Sequence, residues 1–294
     1  MAPALGPAAD LVVDTTPHAR GDGRYLLDLA DRWDFLYPSG GVLVTAALRA
    51  AALELADDGL RLASTTAIFC EPVKPGPLEL EVVVLRRGGA AAPVRIVASA
   101  NQLRAYEVSA TFCRDRPGPD VRGLAMPDVP LPDACPSILD AHPSNPHPRM
   151  RFFNQFDVRM ARGDRFWLPG WTAGRARQAR WFRYRAPQRT ADGLDRLALP
   201  PIADTLPGAM TQAIGPGDYR FYAPSLDLTV HVVDDTDREW ILVDAEVPRA
   251  RVGWAIGRAS LWDDTGRLLA IVSQAMYVRT LTGAPPMVDA SDRR

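Results

Sequence analysis

Residues 103–114, LRAYEVSATFCR, and 267–279, RLLAIVSQAMYVR, are two versions of one strand-like segment, and their likeness decides the fold. Each closes a block with the same succession of elements, a helix followed by four strands. The chain is therefore read as an internal duplication.

Working outward through the first block, Val94–Ala100 is a strand joined to 103–112 by a short turn at Asn101 and Gln102. Leu78–Leu85 (LELEVVVL) alternates clearly, and Leu62–Phe69 (LASTTAIF) precedes it across the turn EPVKPGP. Ahead of these, VLVTAALRAAALELADDG predicts a helix from about Val42 to Asp57. Gly40 and Gly41 permit an unusual backbone at its start, and Gly59 fits just past its end. Apart from Arg49 and Glu54 the helix is apolar nearly all round, so something must wrap it. Arg24–Asp31 (RYLLDLAD) opens the block as a strand.

The second block opens with a strand over Phe152–Met160, places its helix around Pro200–Ala213, and continues with strands at Ser225–Val232, Trp240–Val247, Trp254–Trp262 and Leu268–Val278. Residues 162–195, including WFRYR at 181–185, find no counterpart in the first block. Between the blocks a proline-rich stretch without periodicity reads as an extended linker, in which His142 and His147 are expected to be solvated. The organisation expected is 1–115, a linker over 116–148, and 149–294. The class is α+β, two tandem repeats of a central helix wrapped by a curved antiparallel sheet.

Composition sets the outer limits. A hydrophobic content of 47%, a charged content of 23% and a net charge of −1 describe a globular chain, with no basic surface for nucleic acid or anionic membrane. No run reaches the roughly 18 apolar residues of a membrane span, and the first residues lack a secretory pattern. Cys70, Cys113 and Cys135 are odd in number and without CxxC spacing, which argues against a disulfide framework or a zinc site. A cytoplasmic protein needing no metal or redox cofactor is expected.

Three polar residues interrupt the second block where it otherwise reads as core: Asp204 in LALPPIADTLPGAM, Ser225 in PSLDLTVHVV, and Gln274 in the closing segment. Isolated polar groups in a core are costly unless paired. Sliding one block over the other puts Leu62 opposite Ser225 and Ala110 opposite Gln274, with the Ser39–Gly41 region facing Asp204. If these groups only satisfied the fold, both blocks would carry them. The asymmetry points to one active site per chain.

The sequence resembles the type II acyl-CoA thioesterases and related double-hotdog proteins. In the first block the likeness rests on YPSGG and AIFCEPVKPGPLELEV; in the second on ADTLPG, PSLDLTVHV, LWDDTGRLLA and SQAMYVR. The resemblance implies a double hotdog whose second unit activates a water with an acid, a hydroxyl and an amide, here Asp204, Ser225 and Gln274. Ser225 stands where the family often has Thr, which keeps the hydroxyl and loosens its rotamer. Pro200, Pro201 and Pro207 flank Asp204, so the acid is expected near the N-terminal end of its helix. The implied reaction is hydrolysis of an acyl thioester, with acyl-CoA or an acyl-carrier thioester as partner. Backbone N–H groups at a helix start suit the developing oxyanion, and Gly41, with Gly40 beside it, is the candidate. The bland alternative is a tight turn.

Other readings stay open. A non-catalytic acyl-thioester binder, or a hotdog protein dedicated to a carrier-bound or polyketide-like acyl group, fits the same elements. His231 is the route to a dehydratase, although its apolar strand context favours a structural histidine and no His lies near either helix start. Asp227 either orients the site or accepts a structural bond. Cys70 and Cys113 read as core, and Trp33 as packing that could border the acyl pocket. The arginines near 174–185 could bind coenzyme A phosphates or form a solvated face. Further assembly through outer sheet edges is expected.

Overall fold

The computed structural model describes residues 6–57, 59–215 and 221–280. Its main sheet has twelve strands: β1 (His18–Gly21), β2 (Arg24–Leu29), β3 (Arg61–Phe69), β4 (Gly76–Val84), β5 (Ala91–Ala100), β6 (Leu103–Cys113), β7 (Phe156–Arg162), β8 (Arg177–Tyr184), β9 (Asp227–Val232), β10 (Ile241–Arg251), β11 (Trp254–Asp263) and β12 (Leu268–Tyr277). They lie antiparallel in the order β1-β2-β4-β5-β6-β3-β9-β12-β11-β10-β8-β7. Two six-stranded halves with the same connectivity thus join at β3 and β9. There Thr66 faces Thr229 and their hydroxyls are 3.0 Å apart.

The register confirms the slide made on sequence. In the first half Leu62 pairs with Phe112; in the second Ser225 bridges Met276. Ala110 and Gln274 each lie two residues before those partners, on the same face of their strands.

After the short helix α1 (Leu11–Thr15), helix α2 (Gly40–Leu55) packs over β4, β5 and β6, and its Val, Leu and Ala side chains are buried on nearly every side. Each buried Leu or Val contributes roughly 1.5–3 kcal/mol, which is why an all-apolar helix is stable only when wrapped. Ala56, at φ 49°, ends it in the left-handed conformation, a place the sequence had suggested for Gly59. In the second half the helix is broken into α3 (Leu199–Ala203) and α4 (Pro207–Ile214). Pro207 has no N–H to continue the ladder, and its ring would meet the carbonyl four residues back. Asp204 caps the C-terminus of α3 and sits in the break, where the sequence reading had it near the N-terminal end of one continuous helix. α3 lies against α2, while α4 packs on β8 and β10.

Strand β8 falls in the stretch that had no counterpart. It pairs with β10 as β2 pairs with β4, so it is the equivalent of the first block's opening strand. Alternation fails there because both faces are covered and most of its residues are buried. The cover on the outer face is the proline-rich segment, which is docked: Cys135 is buried with Trp181, Leu242 and Trp262, and Trp181 Nε1 donates to the carbonyl of Pro130 at 2.9 Å. His147, expected to be solvated, is buried edge-on against Phe153 and Trp167. Burial, aided by the nearby Arg180 charge, pushes its imidazole down to about 3, so it is neutral. Among the described residues no helix is long and apolar enough to cross a membrane.

Candidate active site

The break between α3 and α4 turns Asp204 toward the joint of the two halves, where it is 6% exposed. Ser225, just ahead of β9, donates from Oγ to Asp204 Oδ1 at 2.8 Å. Gln274, on the inner face of β12 and 1% exposed, donates from Nε2 to the same oxygen at 2.5 Å and to Ser225 Oγ at 2.7 Å. Three residues from separate elements therefore close a hydrogen-bonded triangle. The network also fixes the Gln274 amide, because the flipped form would set its carbonyl against a carboxylate. Among the described residues Gln274 Oε1, which is buried, has no hydrogen-bond partner.

The other carboxylate oxygen faces the first half. The Gly41 amide donates to Oδ2 at 2.9 Å, and Ser39 Oγ donates to it at 3.3 Å. Asp204 thus sits on the N-terminus of α2, where helix amides and dipole favour an anion. Burial pushes its carboxyl up from the ordinary value, while the donors Ser225, Gly41, Gln274 and Ser39 pull against that rise. Burial that raises a carboxylate's proton affinity makes it a better proton acceptor than a solvated one.

The two glycines differ in purpose. A Cβ at Gly41 would lie 2.2 Å from the Pro200 carbonyl oxygen, so its absence lets α2 and α3 close on each other. A Cβ at Gly40 would meet the ring end of Phe69 at 2.8 Å and Asp204 Oδ2 at 3.0 Å. Among the described residues the Gly40 N–H has no hydrogen-bond partner, whereas that of Gly41 is given to Asp204. Tyr222 also faces the site, its phenol raised by burial and by the Asp204 charge, and its ring stands 6.4 Å from that of Tyr37.

The remaining candidates sort out by position. His231 is exposed on the sheet's outer face, with Nδ1 3.2 Å from Ser64 Oγ. Asp227 accepts the Ala275 amide at 2.8 Å and is a structural acceptor. Trp33 is core, its Nε1 bonded to Asp14 Oδ2 at 2.9 Å. Cys70 is exposed and Cys113 half-buried, contrary to the core reading, because β3 ends at Phe69 and leaves Cys70 outside the sheet. The arginines of β8 are occupied: Arg177 pairs with Asp244, Arg183 with Asp157, and buried Arg180 donates to the Thr205 carbonyl at 2.7 Å. Sequence reasoning missed Ser39 and Tyr222 as individual site groups. For Ser39 a signal existed in its place just before the glycine pair.

The acyl-CoA thioesterase N-terminal domain family matches residues 29–113, and the acyl-CoA thioesterase C-terminal domain family matches residues 132–278. Among solved structures, a chain from Novosphingobium aromaticivorans provisionally described as a thioesterase is 25% identical, with 90% of this chain and 98% of that one covered and a TM-score of 0.74. Acyl-CoA thioesterase II TesB2 from Mycobacterium marinum is 22% identical over 94% of this chain and 100% of its own, with a TM-score of 0.72. A protein of unknown function with a hot dog fold from Alicyclobacillus acidocaldarius is 20% identical over 95% and 100%, with a TM-score of 0.77. No curated protein sequence matches the chain.

Proposed function

The chain belongs to the acyl-CoA thioesterase family, and from that premise we propose that it hydrolyses an acyl-CoA, or an acyl group on a related carrier, to the free acid and thiol. The two sheet halves are read as two hotdog units fused in tandem, residues 1–115 and 149–294, with the docked segment between them. One observation carries the reading: Asp204, Ser225 and Gln274, far apart in sequence, meet in one buried triangle with distances of 2.5–2.8 Å.

In this mechanism Asp204 takes a proton from water as general base. Ser225 and Gln274 fix the carboxylate, and the unpartnered Gln274 Oε1 accepts the water's other hydrogen. The water oxygen adds to the thioester carbonyl carbon, and the oxyanion is received at the start of α2, where the free Gly40 N–H serves as donor. The carbon–sulfur bond then breaks, and the proton held on Asp204 passes to the departing thiolate.

The test is thiol release from short- to long-chain acyl-CoAs by wild type and Asp204→Asn side by side. Release that collapses in a variant still melting cooperatively supports hydrolysis. No release by wild type, with acyl-CoA raising the melting temperature, would replace the enzyme with a binder.

A further inference from the structure

An ionised carboxylate offers about four lone-pair sites, and at Asp204 four donors fill them: Ser225 and Gln274 on Oδ1, Gly41 and Ser39 on Oδ2. A water cannot donate to this carboxylate until one of them withdraws. Three of the bonds measure 2.5–2.9 Å, and that of Ser39 measures 3.3 Å. Ser39 is also the N-cap residue of α2, yet it makes no side-chain capping bond. An N-cap serine ordinarily accepts a hydrogen bond from the amide two or three places on. Here its hydroxyl is turned toward Asp204 and keeps that second position in reserve.

Building on the thioesterase reading, we infer that Ser39 is a displaceable positioning residue of the site. Its hydroxyl holds the Oδ2 lone pair that the nucleophilic water takes, and it turns back to cap α2 when the water arrives. This puts the water beside Gly40, where the missing side chain leaves Oδ2 approachable and a free N–H lies at hand for the oxyanion. The first half thereby contributes a regulating group to the second half's base. The groups facing Asp204 are Ser39 and Gly41 from the start of α2, Gln274 from β12, Ser225, and Tyr222 with Arg279 as its neighbour.

The experiment compares wild type, Ser39→Ala and Asp204→Asn by the pH dependence of kcat/KM for acyl-CoA hydrolysis. In parallel the Asp204 carboxyl carbon is titrated by NMR, its signal assigned by its loss in Asp204→Asn. Removing a donor from the charged form raises a carboxyl pKa. The acid limb and the NMR midpoint of Ser39→Ala should both move up by about half a pH unit or more. Identical Asp204 titration in wild type and Ser39→Ala would overturn the role of Ser39, whether or not the protein turns over. A plateau loss matching that of Asp204→Asn would overturn it too, since a displaceable group is not required for chemistry. Absence of hydrolysis by wild type, with the NMR midpoint still shifted, would instead sink the thioesterase reading and leave the Ser39–Asp204 link standing.

Discussion

Gly41 and Asp204, 163 residues apart in the chain, are joined by a 2.9 Å hydrogen bond from the amide of one to Oδ2 of the other. The bond crosses between the two halves of the sheet. The acid of the second half is therefore held by the helix N-terminus of the first, and neither half alone carries the complete site.

Asp204→Asn removes the proposed proton acceptor while keeping the shape of the side chain. Thiol release should fall by about 10³-fold, and far-UV circular dichroism should be unchanged. A variant retaining more than a tenth of wild-type turnover would show that another group is the base.

Gly41→Ala and Gly40→Ala should separate fold from function. At Gly41 the new methyl meets backbone at 2.2 Å, so α2 and α3 must part. Stability should drop by about 3 kcal/mol. At Gly40 the nearest atom belongs to the Phe69 ring, which can shift, while the methyl also covers Asp204 Oδ2. Melting should change little, and kcat should fall about 100-fold. Denaturant midpoints and steady-state rates measured on both variants check the contrast.

Ser225→Ala removes the donor that shares Oδ1 with Gln274. A loss of roughly 10- to 100-fold in kcat is expected, with KM little changed. Ser225→Thr keeps the hydroxyl and should remain active within about threefold. Equal losses in the two variants would mean that the volume at 225, and not the hydroxyl, matters.

Asp34 gives a pH signature away from the site. Burial, and then the neighbouring Asp31 charge, push its carboxyl up from 3.8 to about 6, and among the described residues its buried Oδ1 has no hydrogen-bond partner. The folded state thus holds this proton more tightly than the unfolded chain. The associated stability is present below the unfolded value and is lost as pH rises through about 6. Asp34→Asn should therefore melt higher than wild type at pH 7.5 and at the same temperature near pH 4. Parallel melting curves at both pH values would exclude this carboxyl as the cause.

Much of the fold was legible because the first block's strands β3 to β6 and helix α2 are amphipathic or uniformly buried over continuous runs. The likeness of 103–114 to 267–279 carried the register as well, down to the equivalence of Leu62 with Ser225. Strand β8 was missed because alternation records only one covered face, and its outer face is covered by residues some fifty positions earlier, such as Pro130 bonded to Trp181 (|i−j| = 51). The solvated reading of His147 failed for the same reason: a proline-rich composition says that a segment is irregular, and says nothing of what it docks against.

By itself the sequence determined the duplication, the wrapped helix and the three polar exceptions Asp204, Ser225 and Gln274, since each is a matter of local pattern and residue type. Only the tertiary structure decided that Asp204 lies in a helix break, that Gly41 is spent on it, and that Ser39 completes its four donors. Those facts depend on how the start of α2 meets α3 across the joint, and contacts over such separations leave no periodic trace in the chain.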